Sequence, residues 1–348
     1  MSTNWPDGGA ALPACIDSEE QLVAQMTTPS PAVVAAVSAL DGDVLVLGVG
    51  GKMGPTLAEL LVRAGARRVI GVSRFSDAAQ RRYLEARGVV TIRADLLDEL
   101  DLVELPEAPY VYLLAGFKFG ATGNEPMTWA MNTWLPGRIL QRFSEARLVY
   151  VSSGNVYAYT PADGPGAAET APLGPLGEYA QSRLGGERLV QHFSAVQGTP
   201  VLIVRLFYAT ELRYGIIHDL AWKVARGEPI DLTMGHVNQI WQGDANAYLA
   251  RCMPLCASPA RIVNLTGPQV LRVRDLAACL GAQLGREPVF RGAEADTALL
   301  GDARALIGEL GPPAVAPEQI CRWMAQWVRA GGRSLGKPTK YESRTGEF

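Results

Sequence analysis

The chain is poor in the residues that bind metals or cross-link secreted domains. Among its 348 residues are five cysteines and three histidines, His192, His218 and His236. Cys15, Cys252, Cys256, Cys279 and Cys321 are odd in number and scattered. Cys252 and Cys256 have no second ligand pair, so they read as two buried helix thiols rather than half a zinc site. A basic excess is also absent: 32 Lys and Arg face 35 Asp and Glu. Nothing there can replace the counterions of a nucleic acid. No apolar run approaches the roughly 20 residues that span a bilayer. Residues 1–11 lack the charged-then-apolar pattern of a secretory leader. With 37 Gly and 23 Pro, the chain is also far from low complexity. These absences point to a reduced, cytoplasmic setting, without metal, membrane or nucleic acid.

What is present is alternation. A polar start leads to a helix over 18–26, capped by Ser18, and a second helix opened by Pro31 and running to Leu40. Apolar runs at 44–47, 68–72, 89–93, 110–115, 148–151 and 200–206 then alternate with helical patterns at 53–64, 77–87, 127–143 and 178–193. Such alternation means parallel βαβ units, an α/β doubly wound sheet. Past Phe207 the pattern loosens into helical stretches at 216–225, Val273–Leu284 and 317–328 with short apolar runs such as Arg261–Leu265. The reading is a segment 1–43, a dinucleotide-binding domain 44–206, a smaller C-terminal α/β substrate lobe 207–330 with segments returning to the sheet, and a tail 331–348. That tail is polar and Gly-rich, a surface strap or a partly disordered end.

The first strand runs into Gly48-Val-Gly-Gly51-Lys-Met-Gly54. Gly48 allows a tight turn, Gly51 a close backbone approach to a pyrophosphate, and Gly54 close helix–strand packing, with the anion on the helix amides. Nineteen positions past Gly54 an acid would accept from the ribose 2′-hydroxyl of NAD. Ser73 and Arg74 stand there instead, which favours NADP and leaves NAD possible. A solvated strand-end Arg is the plainer account of Arg74.

Downstream come Val149-Tyr-Val-Ser-Ser-Gly-Asn-Val-Tyr157 and Tyr179-Ala-Gln-Ser-Arg183. With the glycine triplet, Arg93-Ala-Asp95-Leu96, Ala115-Gly116-Phe117-Lys118 and Asn132, the chain from about 44 to 326 resembles the extended short-chain dehydrogenase/reductases, the NAD-dependent epimerases and dehydratases. The stretch ending at Lys118 looks most like UDP-galactose 4-epimerases. The resemblance implies a Rossmann fold and a general acid/base at Tyr179, with Ser153 hydrogen-bonded to the reacting oxygen and Asn132 supporting the site. It also implies cofactor contacts at Gly48, Gly51, Lys52, Met53, Gly54, Asp95, Leu96, Ala115, Gly116, Lys118 and Phe207. A homodimer through the helices at 127–143 and 178–193 is a further implication.

One departure stands out. The family motif ends in Lys, and here that position is Arg183, which keeps the charge but not the shape. Lys118 is the candidate for a replacement ammonium. Dehydratases of nucleotide sugars carry an Asp-Glu pair where this chain has Gly154 and Asn155, so sugar dehydration is disfavoured. Tyr208 stands where the family has Asn. The neutral stretch His236-Val-Asn238-Gln239-Ile-Trp241 suits an uncharged polyhydroxylated ligand, or else a buried strand whose amides satisfy backbone groups. Ser152, Asn155 and Arg213 complete the candidate substrate contacts. The expectation is an NAD(P)-dependent oxidoreductase or epimerase acting on a small sugar- or polyol-like substrate. Its alternatives are a catalytically impaired dinucleotide sensor and a nucleotide-sugar 4-epimerase.

Overall fold

A computed structural model of the chain describes residues 12–118 and 120–346. The leader reading for 1–11 and the end of the tail lie outside them. The chain opens with α1 (Glu19–Thr27) and α2 (Pro31–Ser38). Ser18 and Ser30 cap them, their hydroxyls accepting from the Gln21 and Val33 amides. There follow β1 (Asp43–Leu47), α3 (Gly54–Arg63), β2 (Arg68–Ser73), α4 (Ala78–Glu85), β3 (Val90–Arg93), α5 (Glu99–Val103) and β4 (Tyr110–Leu113). Next are α6 (Glu125–Trp129), one π turn (Ala130–Trp134), α7 (Leu135–Arg142), β5 (Arg147–Ser153), β6 (Thr160–Pro161), α8 (Gly177–Gln197) and β7 (Val201–Leu206). The second half holds β8 (Tyr208–Thr210), α9 (Ile216–Arg226), β9 (Pro229–Asp231), β10 (His236–Val237), β11 (Gln239–Trp241) and α10 (Gln242–Arg251). It ends with β12 (Arg261–Leu265), β13 (Leu271–Arg272), α11 (Val273–Leu284), β14 (Val289–Arg291), β15 (Thr297–Ala298), α12 (Arg304–Leu310) and α13 (Pro317–Arg329).

Seven parallel strands form the central sheet in the order β12-β7-β5-β4-β1-β2-β3. Strand β1 shows why its apolar run does not alternate with polar residues. Val44 and Val46 face one core with Leu57 and Leu61. Leu45 and Leu47 face the other with Ile139 and Leu140. Both faces are covered, so every position is apolar. The chain order reverses between β1 and β4, whose following helices take opposite faces and leave a crevice at the strands' carboxyl ends. Strand β12, read from sequence with the C-terminal lobe, forms the seventh strand beside β7.

Two elements differ from the sequence reading, and a third decides between its alternatives. The helix over 127–143 is interrupted by the π turn directly before Leu135 and Pro136, because proline offers no amide to the α-helical ladder and its ring crowds the preceding turn. Helix α10 was not legible because polar side chains are buried along with its apolar stripe of Ala245, Tyr248 and Leu249. Gln242 Nε2 and Asn246 Nδ2 both donate to Thr56 Oγ1, at 3.1 and 2.8 Å, and Asp244 Oδ2 accepts from the Val315 amide at 2.9 Å. The tail is a strap. Thr339 donates through N and Oγ1 to Asp219, Arg344 donates to the Thr297 carbonyl and hydroxyl, and Tyr341 is buried. Cys252 and Cys256 are buried thiols at the end of α10 and just after it. Among the described residues no His, Cys, Asp and Glu cluster suits a metal, and no helix is long and apolar enough to cross a membrane.

Burial pushes the Asp244 carboxyl up to about 7, against the amides of Val315 and Ala314, which favour the charge. A carboxyl raised in the fold stabilises fully below its unfolded pKa near 4, and that contribution is lost as pH rises toward 7. Asp244→Asn keeps an acceptor for the Val315 amide and removes the titration. Its melting temperature is expected to exceed the parent's at about pH 8, with the gap closing by about pH 4. An equal gap at both pH values would contradict the assignment.

Candidate active site

The crevice between β1 and β4 opens into a cavity of about 270 Å³ lined by the glycine loop, the segments after β4 and β5, the start of α8 and the chain from Leu206 to Gly215. The glycine loop is built as its spacing implies. Gly48 sits at φ 83°, and a Cβ there would lie 2.6 Å from the Ala115 amide nitrogen. A Cβ on Gly54 would lie 2.3 Å from the Val49 carbonyl oxygen. Gly51 is different, since a Cβ would meet only the Gly48 carbonyl at 3.3 Å. Its outer face is open. No side chain caps the start of α3. An uncapped helix amino end behind a side-chain-free loop fits the pyrophosphate of a dinucleotide.

Ser73 and Arg74 end β2, where a Cβ on Gly50 would touch Ser73 Oγ at 2.5 Å while Arg74 is exposed. Asp95 follows β3, its Oδ1 accepting from the Leu97 amide at 3.1 Å, with Leu96 buried beside it. None of these four lines the cavity. Met53, Gly116 and Phe207 line the cavity, and Ala115 is buried under it.

The catalytic candidates converge. Ser153 ends β5 and turns the chain, its Oγ accepting from the Asn155 amide at 3.2 Å and donating to Asn155 Oδ1 at 3.0 Å. Tyr179 lies in the first turn of α8, half-buried, with Lys118 Nζ 5.7 Å from its ring centroid and 5.9 Å from that of Tyr208. Asn132 is fully buried on the π turn and ties three segments together. Its Oδ1 accepts from the Phe117 amide at 2.8 Å, and its Nδ2 donates to the Phe117 carbonyl at 2.9 Å and to Ser182 Oγ at 3.1 Å. The loop carrying Lys118 is therefore fixed to the helix carrying Tyr179.

Arg183 takes a different course from the one its motif position suggests. Its Nη2 donates to the Val151 carbonyl, its Nη1 to Asn132 Oδ1 at 3.4 Å, and its guanidinium lies 5.0 Å from the Tyr150 ring centroid. Its Nε is buried without a partner. The ammonium over the phenol ring is that of Lys118, which burial pushes down to about 8.

Three of the substrate candidates are used elsewhere, and a fourth, Gln239, is buried away from the cavity. Asn238 is spent on Gly301, donating to its carbonyl at 2.5 Å and accepting from its amide at 3.3 Å. Gln239 is buried with its amide unpaired, and Trp241 packs on Trp323 at a centroid distance of 5.3 Å. Arg213 pairs with Glu211 and Glu19. None of the four lines the cavity, whereas Asn155 does. Ser152 reaches its wall, but its hydroxyl donates to Glu187 at 2.6 Å. Tyr214, which the sequence offered beside Arg213 as a contact for an anionic group, does line the cavity, and sequence reasoning missed Gly215 and Thr339. They are remote along the chain, and no spacing rule links them to the motifs.

Beneath Ser153 and Tyr179 lies a buried ion pair. Arg205 Nη2 donates to Glu187 Oε2 at 2.7 Å with both side chains almost without exposure, and Arg205 Nη1 donates to Tyr157 Oη at 2.7 Å. Removing one partner of such a pair costs about 3–5 kcal/mol. Glu187→Ala is expected to lose that much, read from the urea midpoint at unchanged slope. A loss below about 1 kcal/mol, the scale of exposed pairs, would show that the pair carries no such weight.

Residues 44–215 match the sequence profile of the NAD dependent epimerase/dehydratase family. No curated protein sequence matches the chain. Among solved structures, a UDP-glucuronic acid 4-epimerase from Bacillus cereus in complex with NAD is 17% identical, with 82% of this chain and 96% of that one covered and a TM-score of 0.69. A UDP-galactose 4-epimerase is 20% identical over 83% of this chain and 99% of its own, with a TM-score of 0.66. A UDP-glucose 4-epimerase from Thermotoga maritima is 17% identical over 83% and 99%, with a TM-score of 0.67. At these identities the likeness is one of fold.

Proposed function

The chain belongs to the NAD dependent epimerase/dehydratase family, and on that premise we propose that it oxidises and reduces a hydroxyl-bearing carbon of a carbohydrate-like substrate. The observation that carries this reading is the Tyr179 ring beneath the Lys118 ammonium, in a cavity that begins at the glycine loop. A nicotinamide dinucleotide, when bound, supplies the carbon that accepts and returns hydride. Gly51 and the α3 amides would hold its pyrophosphate. Tyr179 Oη takes the proton of the substrate hydroxyl as the hydride leaves the same carbon, and gives it back when the carbonyl is reduced. Lys118 places an ammonium beside the phenol ring where the family motif would have used Lys in place of Arg183. Ser153 Oγ, already turned toward Asn155, donates to the same oxygen as charge develops on it.

The dimer reading rests on an exposed apolar face, where Met127, Trp129 and Trp134 on the α6–α7 segment are more than a third exposed. The sensor reading was motivated by Arg183 and Tyr208; against it, Ser153, Tyr179 and Asn132 are all kept and Lys118 brings an ammonium to the phenol ring. Return of hydride to the opposite face would make the enzyme an epimerase, and release of reduced cofactor would make it a dehydrogenase. The relatives named above carry UDP-sugars in their names, and that substrate class remains the second reading here.

Tyr179→Phe is expected to lower turnover about 10²–10⁴-fold, the usual size of a general acid/base contribution, with dinucleotide affinity unchanged. Lys118→Ala, which removes the ammonium beside the phenol ring, is expected to lower turnover as well. Unchanged kinetics in both variants would refute the assignment. At the ribose end, the exposed Arg74 and the lack of an acid at that position support NADP over NAD. Arg74→Ala should reduce the ratio of NADP to NAD affinity several-fold in a fluorescence titration. A ratio that does not move would leave Arg74 as a solvated surface residue.

A further inference from the structure

Lys52 stands in the glycine loop, yet its side chain does not stay there. The stem crosses the cavity, and Nζ donates to the Ala209 carbonyl at 2.5 Å on β8 and lies 4.1 Å from the centroid of the Tyr214 ring. That hydrogen bond uses one of three N–H groups. No Asp or Glu lines the cavity among the described residues, although three basic side chains do: Lys52, Lys118 and Arg183. The closest acid along the chain, Glu211, faces Arg213, whose Nε lies 3.2 Å from both its oxygens and whose amide donates to it at 2.8 Å. Asp219, farther off, accepts from Thr339. Lys52 is half-buried, and an ammonium withdrawn from water with a carbonyl and a ring for company is poorly compensated. In agreement, burial pushes Lys52 down to about 7; Glu211 and Asp219 act against that shift, and Arg213 and Lys118 add to it.

We propose that Lys52 is a specificity-determining residue that receives an anionic group of the substrate, a carboxylate on the carbohydrate-like ring, at the wall formed by Ala209 and Tyr214. The inference rests on the oxidoreductase reading above and names the substrate class within it. The same ammonium chemistry would suit the cofactor's pyrophosphate. The position of Nζ favours the substrate, because it is anchored on the C-terminal half of the cavity rather than at the amino end of α3. A neutral ligand for the stretch at Asn238 and Gln239 loses its basis, since neither residue lines the cavity.

The test is calorimetry on the full chain saturated with NADPH or NADH, titrated with D-glucuronate and D-galacturonate against D-glucose and D-galactose. Binding of the dinucleotide alone is measured first and reports on the underlying function independently. Expected is a preference for a uronate over its neutral sugar, and loss of that preference, about 30-fold, in Lys52→Met, the fold-change equivalent of about 2 kcal/mol for truncating one partner of a buried charge pair. Dinucleotide affinity should move less than about threefold, under 1 kcal/mol. In the unmodified protein, uronate affinity should be level below about pH 7 and fall up to tenfold per pH unit above it, as Lys52 loses its proton. Absence of uronate preference or of uronate binding would overturn the proposal. So would a Lys52→Met variant that loses dinucleotide affinity tenfold while treating the sugars as the parent does, since the anion would then be the pyrophosphate. Should Lys52→Met fail to fold, the pH series on the parent decides, and a flat profile is a negative result.

Discussion

The active-site geometry depends on a charge pair kept out of water. Glu187 on α8 and Arg205 on β7 join the helix that carries Tyr179 to the sheet that carries Ser153. Ser152 donates to the same carboxylate, and Tyr157 Oη accepts from the guanidinium and donates to Asn264 Oδ1 at 2.8 Å. Burial alone would weaken the guanidinium's hold on its proton, but Glu187 outweighs it and holds Arg205 above its ordinary range. A pair this dry is a poor source of net stability, yet it tolerates few arrangements. Its use here is positional: it sets the register between a helix and two strands to within hydrogen-bond tolerance.

How much of this could be read from the residues alone depended on where the information lay. The sheet, the glycine loop and the convergence of Ser153, Asn132 and Tyr179 were legible because apolar runs and short motifs encode them locally. Helix α10 was not, since Gln242, Asp244 and Asn246 face inward too and mask the short apolar stripe of Ala245, Tyr248 and Leu249. The partner of the phenol was only half legible. Spacing pointed to Arg183, but a planar guanidinium reaches the Val151 carbonyl and the Tyr150 face instead, and the loop holding Lys118 comes in from a segment some 60 residues earlier in the chain. The amide-rich stretch at Asn238 and Gln239 admitted two readings, and the backbone of Gly301 decides for the structural one at Asn238.

The cavity's charge runs against that of the whole chain. The formal net charge is −3, yet the lining offers three cations and no carboxylate among the described residues. Local selection of sign in a low-dielectric cleft matters more to a ligand than the overall balance does, because field lines are focused where water is scarce. Desolvation moves both Lys52 and Lys118 toward neutrality, so the cleft is poised to gain protons when an anion arrives.

The segment ahead of the sheet has a mechanical consequence. Leu22 and Met26 of α1 are embedded in the core of the C-terminal half, with Ile217, Leu220 and Trp323. Val33 and Val37 of α2 are embedded in the core on one face of the sheet, with Leu57 and Leu61. Two adjoining helices thus rivet the two halves on the side away from the loops. A clam-shell swing about the crevice would have to pull one of them out of its apolar bed.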